Sequence, residues 1–268
     1  MISYRLIMES SRSQRFHKGR RNRFVIALAV FVTIGSYLWV FGMQNILVLE
    51  ARHSFRQTPA ASMIPIDLHD ESVSSVSCEK LSYFNYEFDV PWQDIDTEKV
   101  VKSAMVLITF RSGLVLLVSH GSTHDILDTV IDNSGTKPDS FRAIYGDKAT
   151  QSDYDFLNLA LRVTPTSVGM FDSKANVART LPLLLVKSLI VTGDSGIFNV
   201  RSNEFKGFQY GDPKKHPKKI DVALYSSDGV VEFTFRRNDM KALTITQAEI
   251  NRMISTVRRV DPAVTADR

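Results

Sequence analysis

The stretch "RRNRFVIALAVFVTIGSYLWVFGMQN", residues 20–45, holds twenty consecutive residues without a charge, 24–43. As a helix rising about 1.5 Å per residue they reach about 30 Å, the thickness of a bilayer's hydrocarbon core. A surface helix of a globular core keeps a polar stripe, and this run has none. A cleaved export signal has a shorter apolar centre, roughly 7–15 residues, closed by a small-residue site. Here "MQNILVLE" follows, and the small residues Ala60, Ala61 and Ser62 come too late. Tyr37 and Trp39 suit an aromatic interface belt near the far end. The run reads as a retained transmembrane helix.

Its flanks orient it. Residues 1–23 carry seven basic residues (Arg5, Arg12, Arg15, Lys18, Arg20, Arg21, Arg23) against the single acid Glu9, a balance of +6. Such charge stays on the cytoplasmic side. The outgoing flank, with Glu50, Arg52 and Arg56, has a much weaker bias. The expected topology is a basic cytoplasmic tail (1–23), a span (24–43), a tether (44–80), an exported domain (81–260) and a flexible C-terminus (261–268).

The whole-chain charge of +4 suggests nucleic acid until the tail is set aside, which leaves residues 24–268 at −2. That is an ordinary surface, and an exported domain does not meet nucleic acid. Cys78 is the only cysteine, which excludes an intramolecular disulfide and a cysteine-rich zinc site. The chain also lacks an Asn-X-Ser/Thr acceptor. Both absences point toward a bacterial envelope protein.

Within the domain, "YFNYEFDV" alternates apolar and polar residues and predicts a strand with Phe84, Tyr86, Phe88 and Val90 on its buried face. "AMVLITFRSGLVLLVS" predicts a hairpin of central strands turning at Arg111-Ser112-Gly113. Three helices follow: "STHDILDTVIDN", capped by Ser122 or Thr123; "SDYDFLNLALRV", with Ser152 and Asp155 at capping-box spacing; and "SKANVARTLPLLLVKSLIV", kinked or restarted at Pro182, whose run 181–186 is core. Strands return in "GIFNVRS", "KGFQYG", "IDVALY" and "VVEFTFRR", and a last helix opens on the capping box Thr246–Glu249. Strands, then helices, then strands, then a helix predict an α+β domain with a mainly antiparallel sheet and packed helices. The opening "YEFDVPW" and the closing hairpin-then-helix resemble, in element order alone, the sandwich of the PsbP type, a resemblance that carries no function with it.

Several motifs bear on chemistry. "TGDSGIF", residues 192–198, resembles the nucleophile loop of trypsin-like serine proteases, which needs a histidine base, a buried aspartate and oxyanion donors. The following Gly-Pro and the histidine segment are missing, and Gly193, Asp194 and Gly196 suit a helix-to-strand turn. His120 and His124 have the spacing of a metal pair on a helix, but Gly121 and Ser122 predict that the two diverge. Asp94, Asp96 and Glu98 alternate like the calcium ligands of an EF-hand, without its glycine turn or terminal acid, and read as a solvated turn. "YGDPKKHPKKI", residues 210–220, gathers Lys214, Lys215, His216, Lys218 and Lys219. It reads either as a docking loop for an anionic surface or acidic partner, or as a solvated hairpin whose lysines protect strand edges.

No phosphate loop, dinucleotide fingerprint, serine elbow or zinc-protease motif is present, and no cofactor or metal is implied. The expected function is a non-catalytic, membrane-anchored domain that binds a partner or envelope component. The alternatives are an envelope hydrolase using Ser195 with His120 or His216, and a scaffold that oligomerises through the span or Cys78.

Overall fold

The computed structural model describes residues 48–50, 52–68, 78–102, 105–169, 172–191, 196–202 and 204–260. It divides into two compact units, Met1–Glu50 and Ala51–Arg268. Of the first, only one helical turn, 48–50, is described, so the expected span at 24–43 lies outside the described residues. Among the described residues no helix is long and apolar enough to cross a membrane.

The second unit is an α+β domain with two sheets and several helices. Its strands are β1 (Ile66–Asp67), β2 (Glu79–Tyr83), β3 (Tyr86–Val90), β4 (Ile95–Lys102), β5 (Met105–Phe110), β6 (Leu114–Gly121), β7 (Ile197–Arg201), β8 (Lys206–Tyr210), β9 (Lys219–Tyr225), β10 (Val230–Arg237) and β11 (Arg258–Arg259). Its helices are α1 (Pro59–Ser62), α2 (Asp125–Ser134), α3 (Pro138–Tyr145), α4 (Asp153–Arg162), α5 (Lys174–Ile190) and α6 (Gln247–Thr256). The large sheet runs β1-β7-β8-β9-β10-β6-β5-β4 and is antiparallel except where β1 joins β7 in parallel. The small sheet, β11-β3-β2, is antiparallel.

Period-two alternation decides which face each strand buries. Val231, Phe233 and Phe235 of β10 point into the layer between the sheets, with Leu116 and Val118 of β6 and Ile220, Val222 and Leu224 of β9. Phe88 of β3 meets Phe233 edge-on at 5.1 Å, and Trp92 stands edge-on to Phe110 and Phe235. Truncating one such ring to alanine costs about 3–5 kcal/mol. Helix α6 closes this layer with Ile250, Met253 and Ile254. Its Gln247 exchanges two amide hydrogen bonds, at 2.8 and 2.9 Å, with Gln209 of β8, a buried polar group that is thereby paired. The opposite face packs Phe208, Tyr210, Ala223, Tyr225 and Val230 under α2, α3, α4 and α5. Only glycine fits at 207, where a Cβ would stand 1.9 Å from the Ala223 carbonyl oxygen.

Four local features depart from the sequence expectation. "YFNYEFDV" is a hairpin, since Phe84 and Asn85 both take positive φ (56° and 64°) and form the two-residue turn between β2 and β3. "IDTEKVVK" is an edge strand, β4, irregular in register against β5, so Asp94, Asp96 and Glu98 do not share one turn. Helix α2 receives no side-chain bond from Ser122 or Thr123 at its first amides; the Asp153 carboxylate accepts from Ile126 and Leu127 instead. Helix α5 continues through Pro182, which faces solvent where the Ala178 carbonyl can turn to water.

Part of the segment expected as a tether is built into the domain. Residues 52–56 are helical, Ala60 and Ala61 of α1 are buried, and Asp67 accepts a bond from Asn199 at 2.8 Å. Lys187 of α5 fastens this piece. Its side chain is fully buried, and its ammonium donates to the carbonyls of Met63 and of Val163, the latter at 2.7 Å. Met63 and Val163 are the C-caps of α1 and α4. One cation therefore serves two helix ends, where unpaired carbonyls and the negative ends of the helix dipoles favour it.

Burial lowers the Lys187 amine from the ordinary 10.5 to about 8. Below pH 8 both folded and unfolded chains hold the proton, and the folded state bears the full cost of the buried charge. From about pH 8 to 10.5 only the unfolded chain holds it, so stability rises with pH, by up to about 3 kcal/mol across the window. Urea unfolding of wild type and Lys187→Met at pH 7.5 and 9.5 checks this. Wild type is expected to gain stability relative to the variant at the higher pH, and parallel profiles would contradict it.

Candidate functional site

The lysine loop is a folded turn. Tyr210 ends β8, and Gly211, at φ 112°, turns the chain while its amide donates to Gly196 at 3.0 Å. Asp212 caps a 3₁₀ turn, Pro213–Lys215, by accepting from the Lys214 amide at 2.9 Å. His216 takes the left-handed conformation, φ 47°. Its Nδ1 faces the Leu243 carbonyl at 3.4 Å, and the Leu243 amide donates to Pro217 at 2.8 Å. The backbone of 211–217 is thus tied to the 238–244 loop. Lys214, Lys215, His216, Lys218 and Lys219 are all exposed, and Lys219 pairs with Asp221 at 2.9 Å. The loop presents cations from a fixed backbone, an arrangement suited to anionic surfaces.

The other sequence candidates are dispersed. Ser195 lies outside the described residues. His120 sits at the end of β6, opposite Val231, with its ring 4.6 Å from Phe84. Gly196 is bonded to Gly211 at the other end of the sheet, the end that His216 occupies. His124 starts α2 and turns away from His120. Its Nε2 donates to the Gln151 carbonyl at 2.9 Å while Nδ1 meets the Thr123 hydroxyl at 2.9 Å. Both ring nitrogens are engaged, which makes this imidazole a brace between α2 and the start of α4. Among the described residues no group of three His, Cys, Asp or Glu is arranged to hold a metal ion.

At that opposite end lies a cleft of about 360 Å³ that no sequence motif marks. Its walls include His124, Tyr154, Lys206, Tyr225 and Ser226, drawn from segments far apart in sequence. Tyr154 stacks on Phe208 at 5.2 Å, and the Lys206 ammonium lies 4.9 Å from the centre of the Tyr154 ring. Burial raises both the Tyr154 and Tyr225 phenols. Ser152 donates to Asp155 at 2.7 Å and caps α4. The cleft offers aromatic walls, hydroxyls, the cation Lys206 and the acids Asp155 and Glu204. Elsewhere on this face of the sheet, the Tyr210 hydroxyl has no hydrogen-bond partner among the described residues; burial first, then Glu232 and Asp221, raises it.

The chain matches no family model, no curated protein and no solved structure.

Asp153 holds the first turn of α2, since both its oxygens accept amide hydrogens there at 2.8–2.9 Å while its own amide donates to Thr123. An asparagine offers only one accepting oxygen there. Asp153→Asn is expected to cost about 1–3 kcal/mol in chemical denaturation, and an unchanged midpoint would show that the carboxylate does not hold the first turn of α2.

Proposed function

We propose that the chain is a single-pass membrane protein with its N-terminus in the cytoplasm and an exported α+β domain that binds an anionic partner or envelope component without catalysing a reaction. The uncharged run 24–43 and its basic flank support the topology. The observation that carries the binding role is the pinned loop 211–217, whose capped turn and ties to Leu243 hold Lys214, Lys215, His216, Lys218 and Lys219 at the surface. A loop whose only task is solubility has no need of a fixed backbone. Changing Lys214, Lys215, Lys218 and Lys219 together to alanine is expected to weaken retention of the full chain on a phosphatidylglycerol matrix by about tenfold or more, with the thermal midpoint unchanged. Equal retention of the variant would remove the loop from the binding role.

A further inference from the structure

The register of the large sheet places more than the lysine loop at one end. Arg236 of β10 stands opposite Lys219, and Arg237 opposite Leu114, so the Arg111-Ser112-Gly113 turn and the 238–242 loop lie beside residues 213–219. The Asn238 amide donates to Gly113 at 3.0 Å, which joins these two turns. Arg111, Lys218, Arg236 and Lys241 are exposed, and among the described residues the first three have no acidic partner. The acids at this end are outnumbered by the cations: Asp221 pairs with Lys219 and Asp239 with Arg237 and Lys241, while Asp94 and Asp212 accept the Ser112 and Lys214 amides. Met240, also at positive φ, is 62% exposed at the tip of its loop. Cations around an exposed apolar side chain suit a lipid interface, where headgroups meet the charges and the apolar group enters the acyl boundary.

The chain joins the domain at this same end. β1 runs parallel to β7, whose first residue, Ile197, is opposite Tyr210, so Ile64 and Pro65 precede β1 beside the lysine loop. Ile64 is a second exposed apolar side chain there. Upstream, Arg52 Nε donates to the Pro165 carbonyl at 3.2 Å, just beyond the α4 cap that Lys187 shares with Met63. Eight residues, 44–51, separate Met43 from Arg52 and reach at most roughly 30 Å.

Resting on the reading of 24–43 as a span, we propose that the domain lies with this basic end against the anionic phospholipid headgroups of the bilayer that holds its own anchor, leaving the Tyr154–Lys206 cleft facing away. The test uses the full chain in nanodiscs of phosphatidylcholine alone or mixed with phosphatidylglycerol, read by amide hydrogen exchange. Residues 111–113, 213–219 and 238–242 are expected to exchange several-fold more slowly in the mixed discs, and to lose that protection in high salt and in the variant Arg111→Ala/Lys218→Ala/Arg236→Ala. Residues 122–124 and 226–228, at the cleft end, should exchange alike in both. Equal exchange at the basic end in the two lipids overturns the docking while leaving the anchor intact. A chain that enters neither disc overturns the anchor, and this orientation with it.

Discussion

The β9–β10–β6 ladder is the constraint from which the rest of the domain follows. Both its faces are covered over much of their area, one by the small sheet and α6, the other by α2–α5. A slip of one residue in β10 would drive Glu232 and Thr234 into the layer that holds Phe233 and Phe235. Register is therefore strongly specified, and with it the position of every turn. The same pairing that sets Phe233 against Val222 sets Arg236 against Lys219 at one end and Val230 against Tyr225 at the other. The basic end and the cleft end are two consequences of one alignment.

A second constraint is the buried ammonium of Lys187. Burying a charge is costly unless hydrogen bonds replace its water, and here two helix C-caps do so. The result is that α1 and β1 belong to the domain, and the lead from the apolar run to folded structure shrinks from the 37 residues expected (44–80) to the few before Arg52.

Much of the architecture was legible because it rests on local signals. The capping box Thr246–Glu249, the Ser152 cap, the alternation in β10 and the glycine turn at Arg111-Ser112-Gly113 all read directly into structure. The β2–β3 turn was not legible, since Phe84 and Asn85 reach positive φ without the Asn-Gly or Gly-Gly pair that announces such a turn. Helix α3 is bounded by ordinary local signals, Pro138 at its start and Gly146 at its end. The cap of α2 comes from Asp153, twenty-six residues beyond Leu127, and long-range capping leaves no local pattern. The lysines of the loop were legible as a cluster; the turns that flank them with Arg111, Arg236 and Lys241 become neighbours only through the ladder. The cleft was illegible for the same reason.

The side of the membrane that the domain occupies decides what it can bind. The most direct measurement is protease protection on intact cells or spheroplasts expressing the chain with a C-terminal tag, with its size read on the same gel. A full-length, membrane-bound chain whose tagged domain is digested from outside is expected. A tag protected until lysis would place the domain in the cytoplasm and contradict the topology.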